Sequence, residues 1–215
     1  MTRSEFAKMI SIHGNGTKLE DFRSLSTSPL LNPLCVGRHG NKMLICASCY
    51  SYTYNKMRKG LREKLARNTA ILSSGIIPYE LIPVINDRYF RIESFGDLQN
   101  VIQAINYLNF ICKNPETSFG WWTKNPAFIR SALAELGIEK PSNVQVIFSA
   151  CGLNVEISIE TVQKAFPFVD KVFTVFDSDY IDKHDIAINC GDRKCAECLN
   201  CYKCGGNAQV REKRK

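Results

Sequence analysis

The chain has 215 residues, 45% of them hydrophobic and 23% charged, which fits one globular domain with an apolar core, or one domain and an appendage. Its 28 basic and 21 acidic residues leave a formal net charge of +7, a mild bias toward anionic partners and no proof of nucleic-acid binding. No apolar run reaches the roughly 18 residues that span a bilayer, and the charged start lacks the apolar block of a secretory leader, so the expected setting is the cytoplasm with no membrane partner.

Residues 1–23 show no clear periodicity, and Gly14-Asn15-Gly16 marks a turn. A short first strand is expected within Ser24–Pro29. From Cys35 to Cys49, Gly37, Gly40 and Asn41 predict a loop, and Cys46-x2-Cys49 is the bite that brings two thiolates to one metal. His39 lies in that loop and reads as an exposed histidine, not a ligand. Residues 50–73 read as two helices meeting near Gly60. Six basic residues, Lys56, Arg58, Lys59, Arg62, Lys64 and Arg67, stand there against one acid, Glu63. They form a solvated face or, on the sharper reading, an anion-binding wall that Asn68 would share.

A strand at Tyr89–Ile92 precedes Glu93-Ser-Phe-Gly-Asp97. Leu98, Val101, Ile102, Ile105, Leu108 and Cys112 then share one face of a helix over residues 98–112, with Cys112 as a core thiol and Asp97 placed to cap it. A strand at Phe119–Thr123 carries Trp121 and Trp122 on opposite faces, one for the core and one for a pocket. Asn125 and Pro126 open a helix that Gly137 stops. Val144–Ser149 is a strand apolar enough to be covered on both sides, with Cys151 beyond it in a structural place. Ser158 caps a short helix, and Lys171–Phe176 makes a last strand. The basic end, Val210–Lys215, reads as a frayed terminus.

Alternating strands and helices indicate βαβ units. The expected fold is α/β: a partial open (βα) barrel, or otherwise a flat doubly wound parallel sheet, with a C-terminal cysteine-rich metal-binding extension. The expected division is an α/β domain over 1–180 and a metal-binding tail over 181–215. Ligands should gather at the carboxyl ends of the strands, where Glu93 and Asp97 are candidate acid/base groups and Arg62, Arg67, Asn68 and Lys124 candidate anion contacts.

The chain has ten cysteines, and in a reducing compartment their grouping points to metal, not disulfides. Cys190, Cys195, Cys198, Cys201 and Cys204 fall within fifteen residues, the last four at a pitch of three. A C-x2-C-x2-C run is the ligand run of cubane ferredoxin sites, whereas structural zinc prefers two separated pairs. One or two [4Fe–4S] clusters are therefore expected, with zinc as the alternative. Cys35, Cys46 and Cys49 form a second site, or share one with the tail. With zinc as a staple, the chain would instead be a nucleic-acid- or protein-binding module, with Tyr50, Tyr52 and Tyr54 to stack on bases.

Five pieces in order resemble the gene product 88 family of phage proteins: Cys46-Ala-Ser-Cys49-Tyr50, Arg67-Asn68, Arg91-Ile-Glu-Ser-Phe-Gly96-Asp97, Trp121-Trp122-Thr123-Lys124, and Cys190 through Cys201. That resemblance implies a phage-encoded protein of the host cell cytoplasm and supplies little mechanism. A looser resemblance is to radical SAM enzymes, which place a cysteine loop after the first strand of a partial barrel; it implies S-adenosylmethionine as a cofactor and an enzyme of unknown substrate. The chain departs from their C-x3-C-x2-C loop, with ten residues between Cys35 and Cys46, and Glu93–Asp97 replaces their Gly-Gly-Glu-Pro-like stretch.

Overall fold

The computed structural model describes residues 2–191 and 193–214, leaving out the side chains of Arg3 and Thr17. In chain order its elements are α1 (Arg3–Met9), β1 (Ile12–Gly14), β2 (Arg23–Leu25), α2 (Pro33–His39), α3 (Tyr50–Met57), α4 (Lys59–Ser74), β3 (Tyr89–Ile92), α5 (Val101–Lys113), β4 (Ser118–Thr123), α6 (Pro126–Leu136), β5 (Val144–Ser149), α7 (Ile159–Ala165), β6 (Lys171–Phe176), α8 (Ser178–His184), α9 (Cys195–Cys198) and β7 (Gln209–Lys213). Short 3-10 turns fill Thr17–Leu19, Ile45–Ser48 and Tyr79–Leu81.

The strands lie in one sheet in the order of the chain, β1 to β7. β1 runs antiparallel to β2, and every later pair is parallel. A doubly wound sheet reverses its strand order at a switch point, and this one never does. Right-handed crossovers without reversal place the helices on one face, the arrangement of a partial barrel.

Alternation along the strands gives the sheet two chemically different faces. Phe90, Ile92, Phe119, Trp121, Val144, Val146 and Val172 are buried in one apolar core with Leu72, Ala104, Leu108, Ile129 and Val162 from the helices. The alternate positions include Arg91, Gly120, Trp122, Gln145 and Lys171 together with the apolar Ile147, Phe173 and Val175, so the face away from the helices is mixed and carries two cations. The residues after Met57 supply α4 with Leu65, Asn68, Thr69 and Leu72 as its buried stripe.

Several elements differ from the sequence expectation. α5 begins at Val101, capped by Asn100, whose side chain accepts from Gln103 N; Asp97 caps no helix. The buried arc of α5 includes Ala104, Tyr107, Leu108 and Ile111. Cys112, expected in the core, is exposed at the helix end, because the buried arc is rotated away from it. The supposed loop after Pro33 is partly helical, since Asn32 caps α2 by accepting from Leu34 N and Cys35 N. Thr2 and Glu5 form a capping box that starts α1, in a stretch without periodicity. The basic end is not frayed: Gln209–Lys213 pairs with β6 as the seventh strand. The chain beyond residue 180 thus returns to the same sheet. No helix among the described residues is long and apolar enough to cross a membrane.

Candidate metal centres

The upstream thiols gather beyond the carboxyl ends of the strands. α2 carries Cys35, the 3-10 turn holds the buried Cys46, and Cys49 leads into α3. Three side chains, those of His39, Asn32 and Arg38, fix this segment. His39 Nδ1 lies 2.9 Å from Cys46 O, and its ring stacks on Tyr52 with centroids 3.8 Å apart. Asp97 O accepts from Asn32 Nδ2 at 2.8 Å. Arg38 donates to Asn125 Oδ1 at 2.7 Å and stands 3.7 Å from Asp97 Oδ2.

Asp97 is the hub of that anchorage. Its Oδ1 accepts from Thr123 Oγ1 at 2.7 Å and Leu98 N at 2.8 Å, and its Oδ2 from Lys124 N at 3.0 Å. Burial raises its pKa above the ordinary carboxylate range, against the opposing pull of Lys124. Glu93 is more enclosed. Tyr107 Oη, Thr27 Oγ1 and Gln103 Nε2 donate to its Oε1 at 2.6, 2.7 and 2.8 Å, and Thr27 N to its Oε2 at 3.0 Å. Burial pushes its pKa up to about 8. Its backbone sits in the left-handed region at φ 57°, a strained setting for a side-chain-bearing residue. Both carboxylates hold the chain ends of β3 and β4 in place, and four protein donors already occupy Glu93. Gly96 (φ 72°) is required in this turn, since a Cβ there would stand 2.5 Å from Thr27 O.

The four candidate anion contacts separate. Lys124 lies at this end of the sheet, with its Nζ donating to Ser149 Oγ. Asn68 is buried: it accepts from Ser11 N at 2.8 Å and donates to Ser11 O and Ser26 O at 2.9 Å each. It is a clamp between segments, with no capacity left for an anion, which corrects its sequence-based placement. Arg62 and Arg67 are exposed on α4, with the other basic residues of that stretch. The three tyrosines have partners inside the chain: Tyr50 Oη donates to Ser94 O at 2.7 Å, Tyr52 stacks on His39, and Arg58 lies over Tyr54.

The tail thiols occupy a different place, on the face of the sheet away from the helices, with Cys201 and Cys204 beside β4 and the start of β5 and Cys190 beside the carboxyl half of β7. Tyr202 is buried there, its ring 4.7 Å from Phe22, 6.1 Å from Tyr89 and 5.9 Å from Trp122. Gly120 makes room: a Cβ on it would come within 3 Å of Trp122, Tyr202 and Cys201 O. Lys171 Nζ donates to Gly205 O at 2.6 Å. Cys190 pairs with Glu212 beside β7 through Cys190 N to Arg211 O at 3.0 Å. Trp121 is core and Trp122 faces this interior, as expected, with the Arg91 guanidinium 3.1 Å from the centre of its ring.

Burial and neighbouring charge act on several of these thiols. Burial raises Cys201 to about 12, with Cys190 and Cys195 adding to the rise and Arg91 and Lys171 opposing it. Burial likewise raises Cys195, which feels Arg91, Lys18, Cys190 and Cys198, and Cys190, which feels Glu212, Lys18 and Cys198. Cys35 is raised by burial, then by Asp97, Glu93, Cys49 and Cys46. Cys46 is raised by burial, then by Cys151 and Cys49, while Lys124 and Arg38 pull it down. Cys190, Cys195, Cys198 and Cys201 thus influence one another in the tail, while upstream Cys46 feels Cys49 and Cys151, and Cys35 feels Cys46 and Cys49. Cys204 is exposed and accepts from Gln145 Nε2 at 3.4 Å, apart from its neighbours in sequence. Cys151, read as structural, joins the upstream group; its position just past a strand end was the available signal.

All ten thiols are free. As they lie, no three His, Cys, Asp or Glu side chains among the described residues stand in an arrangement that holds a metal. The donor chemistry nevertheless suits a thiophilic centre, because Lys18, Arg91 and Lys171 surround the tail thiols with positive charge that offsets thiolates.

A family model described as Gene product 88 matches residues 29–215. No curated protein and no solved structure matches the chain.

Proposed function

This chain belongs to the gene product 88 family, and we propose that it is an iron–sulfur protein of the cytoplasm in which Cys190, Cys195, Cys198 and Cys201 hold a [4Fe–4S] cluster. What supports this is the spacing of Cys195, Cys198 and Cys201, together with the three cations that act on the tail thiols, Lys18, Arg91 and Lys171. α9 places Cys195 and Cys198 one helical turn apart, and the C-x2-C-x2-C run continues to Cys201. Such a cluster supplies one-electron redox chemistry. The protein's part is to bury the thiols, exclude water with Tyr202 and Trp122, and balance charge with Lys18, Arg91 and Lys171.

Protein purified without oxygen tests the proposal. About four irons and four sulfides per chain for each cluster, with a brown band bleached by dithionite, is the expected result. Colourless protein with one or two zinc ions would overturn it and make the thiols structural staples.

A second reading is radical chemistry with S-adenosylmethionine. Two features favour it: the parallel sheet in chain order, and a thiol loop that follows the first parallel strand, β2. Lys124 and Arg38 beside Cys46 would then receive an anionic group. Addition of S-adenosylmethionine to the reduced, loaded protein should change the cluster spectrum; an unchanged spectrum sinks this reading.

A further inference from the structure

We propose that the cleft beside the loop Asn200–Asn207 is a phosphate-binding site, which takes the phosphate group of a small molecule. The inference goes beyond the iron–sulfur reading and does not depend on which metal the thiols hold.

The loop is built by its own side chains. Asn207 N donates to Asn200 Oδ1 at 2.9 Å, and Asn200 Nδ2 donates to Asn207 O at 3.0 Å, so one side chain closes the turn. Within it Gly205 and Gly206 follow each other in the left-handed region, at φ 77° and 72°. A Cβ on Gly206 would also clash with Asn200 Oδ1. Lys171, buried on β6, donates to Gly205 O at 2.6 Å. In a trans peptide the carbonyl and the following N–H point opposite ways, so Gly206 N–H points away from Lys171. Neither Gly205 N nor Gly206 N has an acceptor among the described residues.

These glycines line an open cleft of about 430 Å³, within the size of small-molecule sites. Arg193 and Lys203 line it too, and among the described residues no Asp or Glu does. Both cations are exposed, and neither has an ion-pair partner among the described residues. Other cations nearby in sequence are paired: Lys194 with Glu20, Arg211 with Glu156 and Arg214 with Asp177. Unpaired positive charge and unpaired main-chain donors thus meet at one cleft. A guanidinium matches phosphate oxygens as a fork, an ammonium adds a point charge, and a glycine amide reaches an oxygen with no Cβ in the way. Cys198 and Cys204 line the same cleft, so a bound molecule would lie beside the tail thiols.

The probes are adenosine monophosphate, inorganic phosphate and adenosine, titrated by calorimetry at low salt into the full chain purified without oxygen, with metal content measured on the same sample. Wild type should bind the monophosphate saturably, inorganic phosphate should compete with it, and adenosine should not bind. Arg193→Gln combined with Lys203→Gln should weaken binding about tenfold or more. Arg62→Gln combined with Arg67→Gln removes the same charge from the exposed face of α4 and should change binding by less than about twofold. Gly206→Ala should also weaken binding; Arg193 and Lys203 are exposed, so their variants keep the test if Gly206→Ala misfolds. No saturable binding of either phosphate probe, equal weakening by the two double variants, or adenosine binding as tightly as its monophosphate overturns the proposal. Zinc-loaded, colourless protein that still binds the probes overturns the iron–sulfur reading alone.

Discussion

Lys18 Nζ donates to Glu212 Oε1 at 2.5 Å and to Cys190 Sγ at 3.3 Å. Lys18 lies between β1 and β2, and Glu212 lies on β7. One side chain therefore spans the open side of the sheet, from its first strands to its last, and ends on a thiol of the proposed centre. Lys194 makes a parallel tie to Glu20.

Loss of that tie should be measurable. Lys18→Met leaves Glu212, whose side chain is 21% exposed, without its cation. The expected loss is about 1–3 kcal/mol in chemical denaturation. Glu212→Gln should cost a similar amount, and the double variant less than the sum of the two.

Glu93 should make stability depend on pH. Its folded pKa is raised to about 8 by burial, above the 4.3 or so of an unfolded glutamate. The folded state therefore holds the proton more tightly. The stabilising contribution is full below the unfolded value and is lost as pH rises through about 8. Denaturation midpoints measured from pH 5 to pH 9 should show that decline, and Glu93→Gln should flatten it.

Asn68 and Arg67 are adjacent in sequence and should behave oppositely. Asn68→Ala removes three hydrogen bonds within buried structure, at an expected cost of about 2–4 kcal/mol. Arg62→Gln and Arg67→Gln, on the exposed face of α4, should each change stability by less than about 0.5 kcal/mol. If that face bound nucleic acid, wild type would be retained on a DNA column at low salt and these variants less so. The engagement of Tyr50, Tyr52 and Tyr54 within the chain leads us to expect wild type to pass through.

The tail cysteines should divide four to one. Serine at Cys190, Cys195, Cys198 or Cys201 should each reduce metal content and colour. Serine at Cys204, which is exposed and bonded to Gln145, should leave both intact. An equal loss at all five positions would remove the distinction.

The parallel core was legible because its signals are local. β5 and β6 follow largely apolar runs over Val144–Ser149 and Lys171–Phe176 with the bounds the sequence indicated, and Ser158 and Gly137 mark helix ends with their own chemistry. β7 was illegible because Gln-Val-Arg-Glu-Lys has the composition of a solvated end; its strand is made by the neighbour it pairs with, not by its residues. The start of α5 was misplaced because Asp97 and Asn100 are both good caps, and only the tertiary demand of Thr123 and Lys124 on Asp97 decides between them. The cysteine grouping was half visible. Spacing identified the tail run and the upstream trio, but nothing in a sequence places Cys151 beside Cys46 or turns Cys204 away.

The position of β7 also sets a timetable. A ribosome releases the chain from its amino end, and the six strands up to Phe176 can pair as they emerge, each with the one before it. Glu212 follows Lys18 by 194 residues, so the tie between them closes only after β7 has been made. Until then the face that carries Arg91 and Lys171 stands uncovered, and Lys18 waits for the segment that brings Cys190 and Glu212 to it. The open side of the sheet is thus closed by the strand made after all six others, and the first strands are tied down by the seventh.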